Sequence, residues 1–346
     1  MIFAYACAVL LWLSIIAYAA LGGADFGAGI WDMFSLGSEQ RDEKRQLIAK
    51  AIGPVWEANN VWLIYLVVGL YTAFPIVAST LATALLLPLS LALLGIVTRG
   101  AAFAFRTHFT QAITIKEFWS RFFGAASLLT PFLFGCCAAA VASGNIRVHN
   151  GTTQPAVFGA WLTPFAITIG AMGLALCATL APIYLTVEAE KAQNQPLMAT
   201  FRTRAFIAGG IFALLGLLSL FLMPSEAPLL WRGLLARAIW AVVVTALIGL
   251  ALATALFLRR YKLARLLIAL ETAAFLGTWG LAQLPYIVPP DLTISGAASP
   301  PATLQAFFVS ALVGMLVLLP SLWFLFYLFK VQERTPPVHE KEVEGV

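Results

Sequence analysis

Polar positions along the chain fall in short clusters, and between them run long stretches without a charged side chain. Such stretches mark membrane spans. The first runs from Ile2 to about Gly22, with helical continuation toward Phe34. The stretch Ala51 to Thr98 holds 48 residues and a single charge, Glu57. At about 1.5 Å per residue that is too long for one span. The segment Phe74-Pro75-Ile76-Val77-Ala78-Ser79-Thr80 is the expected turn, which gives spans near 52–74 and 79–100. Further spans fall near 122–142, 159–186, 205–223, 238–258, 266–288 and 304–329. The pattern predicts an all-α integral membrane protein of about nine transmembrane helices. It forms a single polytopic membrane domain, 1–334, with a loose tail at 335–346. Segments 143–158 and 289–303 are the largest exterior loops, and no solenoid-type repeat is present. Ala17-Tyr18-Ala19 has the small-x-small look of a processing site. A leader would carry Lys or Arg before its apolar core, and residues 1–16 carry none, so the first segment is expected to be retained.

Composition agrees. Of 346 residues, 61% are hydrophobic and 11% are charged, where soluble domains carry roughly 25%. A soluble globular enzyme and a disordered tail are excluded. A nucleic-acid module is excluded too, because the 21 Lys and Arg do not cluster as a phosphate footprint would. Four cysteines, all in apolar runs, do not make a disulfide framework.

Charge asymmetry orients the layout. With nine spans, 18 of the 21 Lys and Arg fall on the side of the C-terminus, and only Arg147, Arg232 and Arg237 fall on the other. Basic loops stay inside. The N-terminus is therefore expected outside and the C-terminus inside, in the cytoplasm.

Ionisable residues at membrane depth are functional candidates. Asp25 is near the inner end of span 1, Arg99 near that of span 3 and Glu188 near that of span 5. Glu57 sits about five residues into span 2, roughly 8 Å from its inner end, and Glu271 lies at similar depth in span 8. Glu188 reads as an ordinary helix-end charge. The others suggest a polar entrance for protons from the cytoplasm, with Glu57, Asp25, Arg99, Asn59 and Glu271 as the proton-path candidates. Two local sequences stand out. In Gly22-Gly23-Ala24-Asp25-Phe26-Gly27-Ala28-Gly29, Gly23 and Gly27 share a helix face and permit close helix approach. In Pro54-Val55-Trp56-Glu57-Ala58-Asn59-Asn60-Val61-Trp62-Leu63, Pro54 suits a first helical turn. Glu57 and Asn60 share a face, and the asparagines can bond across helices.

These motifs resemble those of subunit II of the cytochrome bd quinol oxidases, including the cyanide-insensitive form. The pattern Gly-x-Asp-(aromatic or aliphatic)-Gly is met by Gly23, Asp25, Phe26 and Gly27. Pro-x-Trp-(acidic)-x-Asn-x-x-Trp-Leu is met by Pro54, Trp56, Glu57, Asn59, Trp62 and Leu63. An Arg ending span 3, followed by Phe-x-(aromatic)-Arg, is met by Arg99, Phe103, Phe105 and Arg106. The similarity runs on to Leu284-Pro285-Tyr286 and Pro289. It implies a nine-helix subunit in a bacterial inner membrane, N-terminus periplasmic and C-terminus cytoplasmic, in a heterodimer with a homologous subunit I that holds two b-type haems, one d-type haem and the quinol site. The complex then oxidises quinol and reduces oxygen to water, with protons drawn from the cytoplasm. The resemblance implies that subunit II supports subunit I and contributes to a proton path, and that the residue matching Glu57 lies on it. Ala104 stands where relatives often have an acidic residue, and the loop near 224–237 is short for the family.

Haem iron takes His, Met, Cys or Tyr ligands. His108, His149 and His339 lie in loops or the tail, Met172 and Met315 read as packing, and the cysteines carry no attachment motif. No catalytic residue, cofactor ligand or metal site of its own is therefore expected, while room is left for a structural quinone between helices. Expected partners are subunit I, quinol and oxygen by way of subunit I, and the bilayer; a small single-span accessory subunit is left open. The competing reading is a stand-alone proton-coupled transporter, which would show broken helices and a central ion pair at mid-membrane.

Overall fold

A computed structural model describes residues 1–35, 41–108, 113–149, 152–153 and 159–332. Its helices are α1 (Ile2–Met33), α2 (Arg41–Ala73), α3 (Pro75–Ala84), α4 (Leu86–His108), α5 (Ile113–Ser143), α6 (Pro164–Lys191), α7 (Gln195–Glu226), α8 (Pro228–Gly233), α9 (Ile239–Phe257), α10 (Tyr261–Gln283) and α11 (Pro301–Gln332). Among the described residues, eight helices are long and apolar enough to cross a membrane. The bent pair Ala58–Ala73 and Pro75–Ala84 makes a ninth. This agrees with the expected count. The segment 335–346, expected as a loose tail, lies outside the described residues.

The boundaries differ from expectation where prolines and caps act. The turn after span 2 falls at Phe74, where the chain bends by 116°. Phe74 precedes Pro75 and takes φ −139°, ψ 63°, outside the α region that the pre-proline clash disfavours. Residues 79–84 then belong to the short α3, and the next span starts at Leu86 rather than 79. Helix α6 starts at Pro164 rather than 159. There Thr163 caps it by accepting from the Ala166 amide (3.2 Å). The Glu226 carboxylate accepts from the Phe165 amide (3.0 Å), placing negative charge at a helix N-terminus. The loop expected at 224–237 is helical instead. Only Ala227 breaks the helix between α7 and α8, and a π-helical stretch, Leu234–Ala238, joins α8 to α9. Helix α10 starts at Tyr261 and ends at Gln283, earlier than 266–288 at both ends. Arg259 sits at φ 57° before it, and Pro285 follows it.

Two small antiparallel hairpins sit in the loops expected to be exterior, β1 (Val148–His149) with β2 (Thr152–Thr153) and β3 (Tyr286–Val288) with β4 (Leu292–Thr293). They are tied together through Asp291, whose carboxylate accepts from Arg147 Nε (3.1 Å) and from the Val148 amide (2.9 Å). This is the hairpin end of the helix array.

Helix α6 is the central post. Phe165, Leu180 and Ile183 on it are fully enclosed. Glycines on its neighbours let backbones meet it. A Cβ on Gly27 of α1 would stand 1.8 Å from the Cys177 carbonyl oxygen, and one on Gly135 of α5 would stand 2.6 Å from the Ile169 carbonyl oxygen. Close approach of this kind replaces the hydrophobic driving force that lipid does not supply.

Candidate functional site: a buried ion pair between helices α1, α2, α4 and α5

Asp25 and Arg99 are 1% and 3% exposed. The guanidinium meets the carboxylate through both oxygens, Nη1 to Oδ2 at 2.6 Å and Nη2 to Oδ1 at 2.7 Å. Nη2 also donates to the Asp25 carbonyl oxygen (2.9 Å), and Nε donates to Ser127 Oγ (2.9 Å). Ser127 in turn donates to the Phe123 carbonyl oxygen (2.7 Å). Asn59 Nδ2 supplies a third donor to the carboxylate, reaching Oδ2 at 3.0 Å. The rings of Phe26 and Phe123 lie 4.8 and 4.6 Å from the guanidinium carbon. A bidentate, charge-assisted pair with two further bonds from the guanidinium is the arrangement under which two charges tolerate removal from water.

The glycine-rich motif makes this possible by dividing its faces. Gly23 and Gly27 face α6, where added Cβ atoms would meet Leu180 Cδ1 at 2.6 Å and the Cys177 carbonyl. Gly29 faces α5, where a Cβ would meet Ser127 Oγ at 2.1 Å. Helix α1 is thereby held against both helices, and Asp25 is presented to Arg99. A cavity of about 10 Å³ beside the pair is lined by Tyr18, Asn59, Asn60 and Ile96 as well as the pair itself. It has room for about one water molecule.

Three of the five expected site residues, Asp25, Asn59 and Arg99, are thus in direct contact. The backbone of Glu57 lies in α2 two residues before Asn59, but its side chain falls outside the described residues, as do those of Trp56 and Arg106. Glu271 does not join the cluster: no hydrogen bond or ion pair among the described residues connects it to the other three. It lies ten residues into α10, about 15 Å along that helix, deeper than expected because α10 begins earlier. It is 7% exposed, its Oε2 has no hydrogen-bond partner, and it faces Gly249 of α9. Glu188 behaves as a helix-end charge, pairing with Lys191 at 2.7 Å.

Sequence reading missed one participant, Ser127, and passed over two charged side chains elsewhere on the helices, Asp32 and Arg204. Ser127 carries no motif of its own. Asp32 is 1% exposed and stands seven residues after Asp25, a spacing that places both on one helical face and could have marked it. The Arg204 guanidinium lies 4.8 Å from the Trp31 ring and 5.7 Å from the Phe201 ring.

For haem or metal, the side chains of His108, His149 and His339 fall outside the described residues. Among the described residues, no group of three or more His, Cys, Asp or Glu could hold a metal ion, and all four cysteines are buried free thiols. Met172 is packed in an apolar cluster with Phe165, Ile169 and Met223.

The family model for cytochrome bd terminal oxidase subunit II matches residues 3–329. A putative cytochrome bd menaquinol oxidase subunit II of Bacillus subtilis is 27% identical over 335 residues, covering 94% of this chain and 95% of that protein. Cytochrome bd-I ubiquinol oxidase subunit 2 of Escherichia coli is 24% identical over 211 residues, 60% of this chain and 55% of that one. Among solved structures, bd oxidase from Geobacillus thermodenitrificans superimposes with a TM-score of 0.81 at 25% identity, over 95% of this chain and 99% of the matched chain. With near-complete coverage by the family model, the same span layout and a matching solved fold, the chain belongs to the cytochrome bd terminal oxidase subunit II family, multi-pass membrane components of respiratory quinol oxidases.

Proposed function

We propose that this chain is the non-haem subunit of its oxidase, supporting a haem-bearing subunit I and supplying a cytoplasmic proton entry that begins at Glu57. The observation that carries the reading is the Asp25–Arg99 pair and its bond to Asn59. That bond anchors α2, two residues beyond Glu57, to a fixed charge pair. Electron transfer and oxygen chemistry belong to the haems of subunit I, and what this chain contributes is held charge and proton delivery.

The roles within the candidate set differ by their bonding. Asp25 already accepts three side-chain hydrogen bonds, so a proton arriving there would have to displace a donor. Asp25, Arg99 and Asn59 are therefore the fixed frame of the path. Glu57 is its entry carboxyl. Glu271, with one oxygen unpartnered, can take up and release a proton without breaking a bond, and serves as the second carrier. The path operates in a heterodimer with subunit I, where quinol and oxygen react. A structural quinone between helices and a small single-span accessory subunit are compatible with the apolar faces the chain presents.

The test uses oxidase purified through a tag on this chain. A second polytopic subunit with b- and d-type haem absorption is expected in the reduced-minus-oxidised spectrum. In that preparation Glu57→Gln is expected to slow oxygen consumption about tenfold or more, on the scale of losing a positioned proton-transfer group, with haem content unchanged. Normal turnover in the variant would reduce the chain to a scaffold. A colourless chain purified alone, from cells that make intact oxidase, would favour a stand-alone proton-coupled transporter.

Glu271→Gln separates the second carrier from the frame. Its expected result is several-fold slower oxygen consumption at full haem content and an unchanged or higher thermal midpoint, because a buried carboxyl with an unmet oxygen is replaced by a neutral isostere. Unchanged turnover would remove Glu271 from the path.

A further inference from the structure

A second polar site lies far from the ion pair, at the hairpin end. A cavity of about 300 Å³ opens there, and its lining includes Arg232, Gly233, Arg237, Gln283 and Tyr286. Both arginines line it, Arg237 from within the π-helical stretch Leu234–Ala238 and Arg232 from the end of α8 just before it. Turns closed by i to i+5 hydrogen bonds recur at functional sites. Arg237 is fixed in place by Nη2, which donates to the carbonyl oxygens of Ala282 (3.2 Å) and Leu284. Gly233 permits this seat, since a Cβ there would stand 1.9 Å from the Ala282 carbonyl oxygen.

The charge at this end is not compensated by the chain itself. Only two acids, Glu226 and Asp291, fall in its connecting segments. Glu226 caps α6, and Asp291 is held by Arg147 and the Val148 amide. Among the described residues, Arg232 has no hydrogen bond or ion pair, and Arg237 has no acidic partner. The surroundings are those of a membrane interface. Trp240 is 58% exposed and donates to the Arg237 carbonyl, and Leu235 and Ile239 beside it are each 48% exposed. Exposed tryptophans beside lipid-facing aliphatics mark the headgroup level.

We infer that this cavity binds the phosphate of an anionic phospholipid, with Arg232 and Arg237 as the paired cations and the exposed aliphatic face of α9 beneath them taking the acyl chains. Two guanidinium groups lining one cavity offer a phosphate both charge and forked N–H donors. Exposed apolar side chains next to them favour a lipid over a free anion.

The test is native mass spectrometry of the whole oxidase, delipidated and titrated with phosphatidylglycerol. Arg232→Gln is the variant, because Arg232 makes no hydrogen bond or ion pair among the described residues. Arg259→Gln, near the opposite end of α9, is the control. The expected result is about tenfold weaker retention of one phosphatidylglycerol in Arg232→Gln, the scale of one lost charge-assisted hydrogen bond, with haem content unchanged and retention in the control intact. Equal retention in wild type and variant would overturn the proposal. Displacement of the lipid by millimolar inorganic phosphate would show a free-anion site, and release of subunit I in place of lipid would show a subunit contact. Either would overturn the lipid assignment. Because the readout is lipid retention rather than turnover, failure here leaves the proton-path reading standing.

Discussion

Replacing Arg99 with leucine is expected to abolish recovery of assembled, haem-containing oxidase at normal growth temperature. The substitution leaves Asp25 charged, 1% exposed, and stripped of both strong donors, with only Asn59 still bonded to it. Breaking a buried pair from one side costs about 3–5 kcal/mol, because the remaining charge is uncompensated. That is a large share of the roughly 5–15 kcal/mol by which folded domains are stable. Removing both charges together, Asp25→Asn with Arg99→Gln, is expected to recover much of the yield, since no bare charge is then buried. The check is the haem absorption of detergent extracts and the thermal midpoint of what is recovered. A single variant as stable as the double would mean that water or a partner residue compensates Asp25, and the frame described for the site would fall.

Gly27→Ala carries the second large effect. One added methyl would meet the Cys177 carbonyl oxygen at 1.8 Å and the Ala181 Cβ at 2.8 Å. The first obstacle is backbone, so α1 must move away from α6 rather than a side chain turn aside. Overpacking costs about 1–3 kcal/mol where neighbours can adjust, and this position sits at the upper end. A fall of several degrees in the thermal midpoint of the purified oxidase is expected, with a parallel loss of haem. Gly22→Ala, in the same motif, meets only the Tyr18 ring at 3.4 Å and is expected to leave both readings unchanged. Equal behaviour of the two variants would show that α1 is not held to α6 by the small face of Gly23 and Gly27.

Much of the architecture was legible because bilayer thickness imposes it. Charge-free stretches such as Ile2–Gly22 announce helices directly, and the bent pair at Phe74-Pro75 was marked by its proline. What periodicity cannot register is an added residue in a helical turn. The π-helical stretch at Leu234–Ala238 reads as part of a loop because Pro224, Pro228, Arg232 and Arg237 interrupt the apolar run around it. Within the site, Asp25, Asn59 and Arg99 stand out singly because each interrupts an apolar run, and their contact comes from the packing. Ser127 does not stand out, since a serine in a span satisfies itself locally, here on the Phe123 carbonyl, and its second role depends on the Gly29 gap across the helix interface. Glu271 resembles Glu57 in its expected depth, though no distinctive motif surrounds it. Only packing shows that it faces Gly249 instead of a cation.

The two halves of the buried pair are separated by 74 residues, and that separation has a consequence for synthesis. At about 5–20 residues per second, Asp25 leaves the ribosome roughly 4–15 s before its arginine exists. During that interval the first helix must insert carrying a lone acid, a penalty of about 2.5–3.5 kcal/mol at mid-bilayer. The apolar length before it, Ile2 to Leu21, offsets that penalty, and the position of Asp25 toward the helix end lowers it. The first helix is therefore placed provisionally, and the arrival of α4 fixes it. A chain arrested before Arg99 would hold an unsatisfied acid in the membrane, which is a feature that membrane quality control can read.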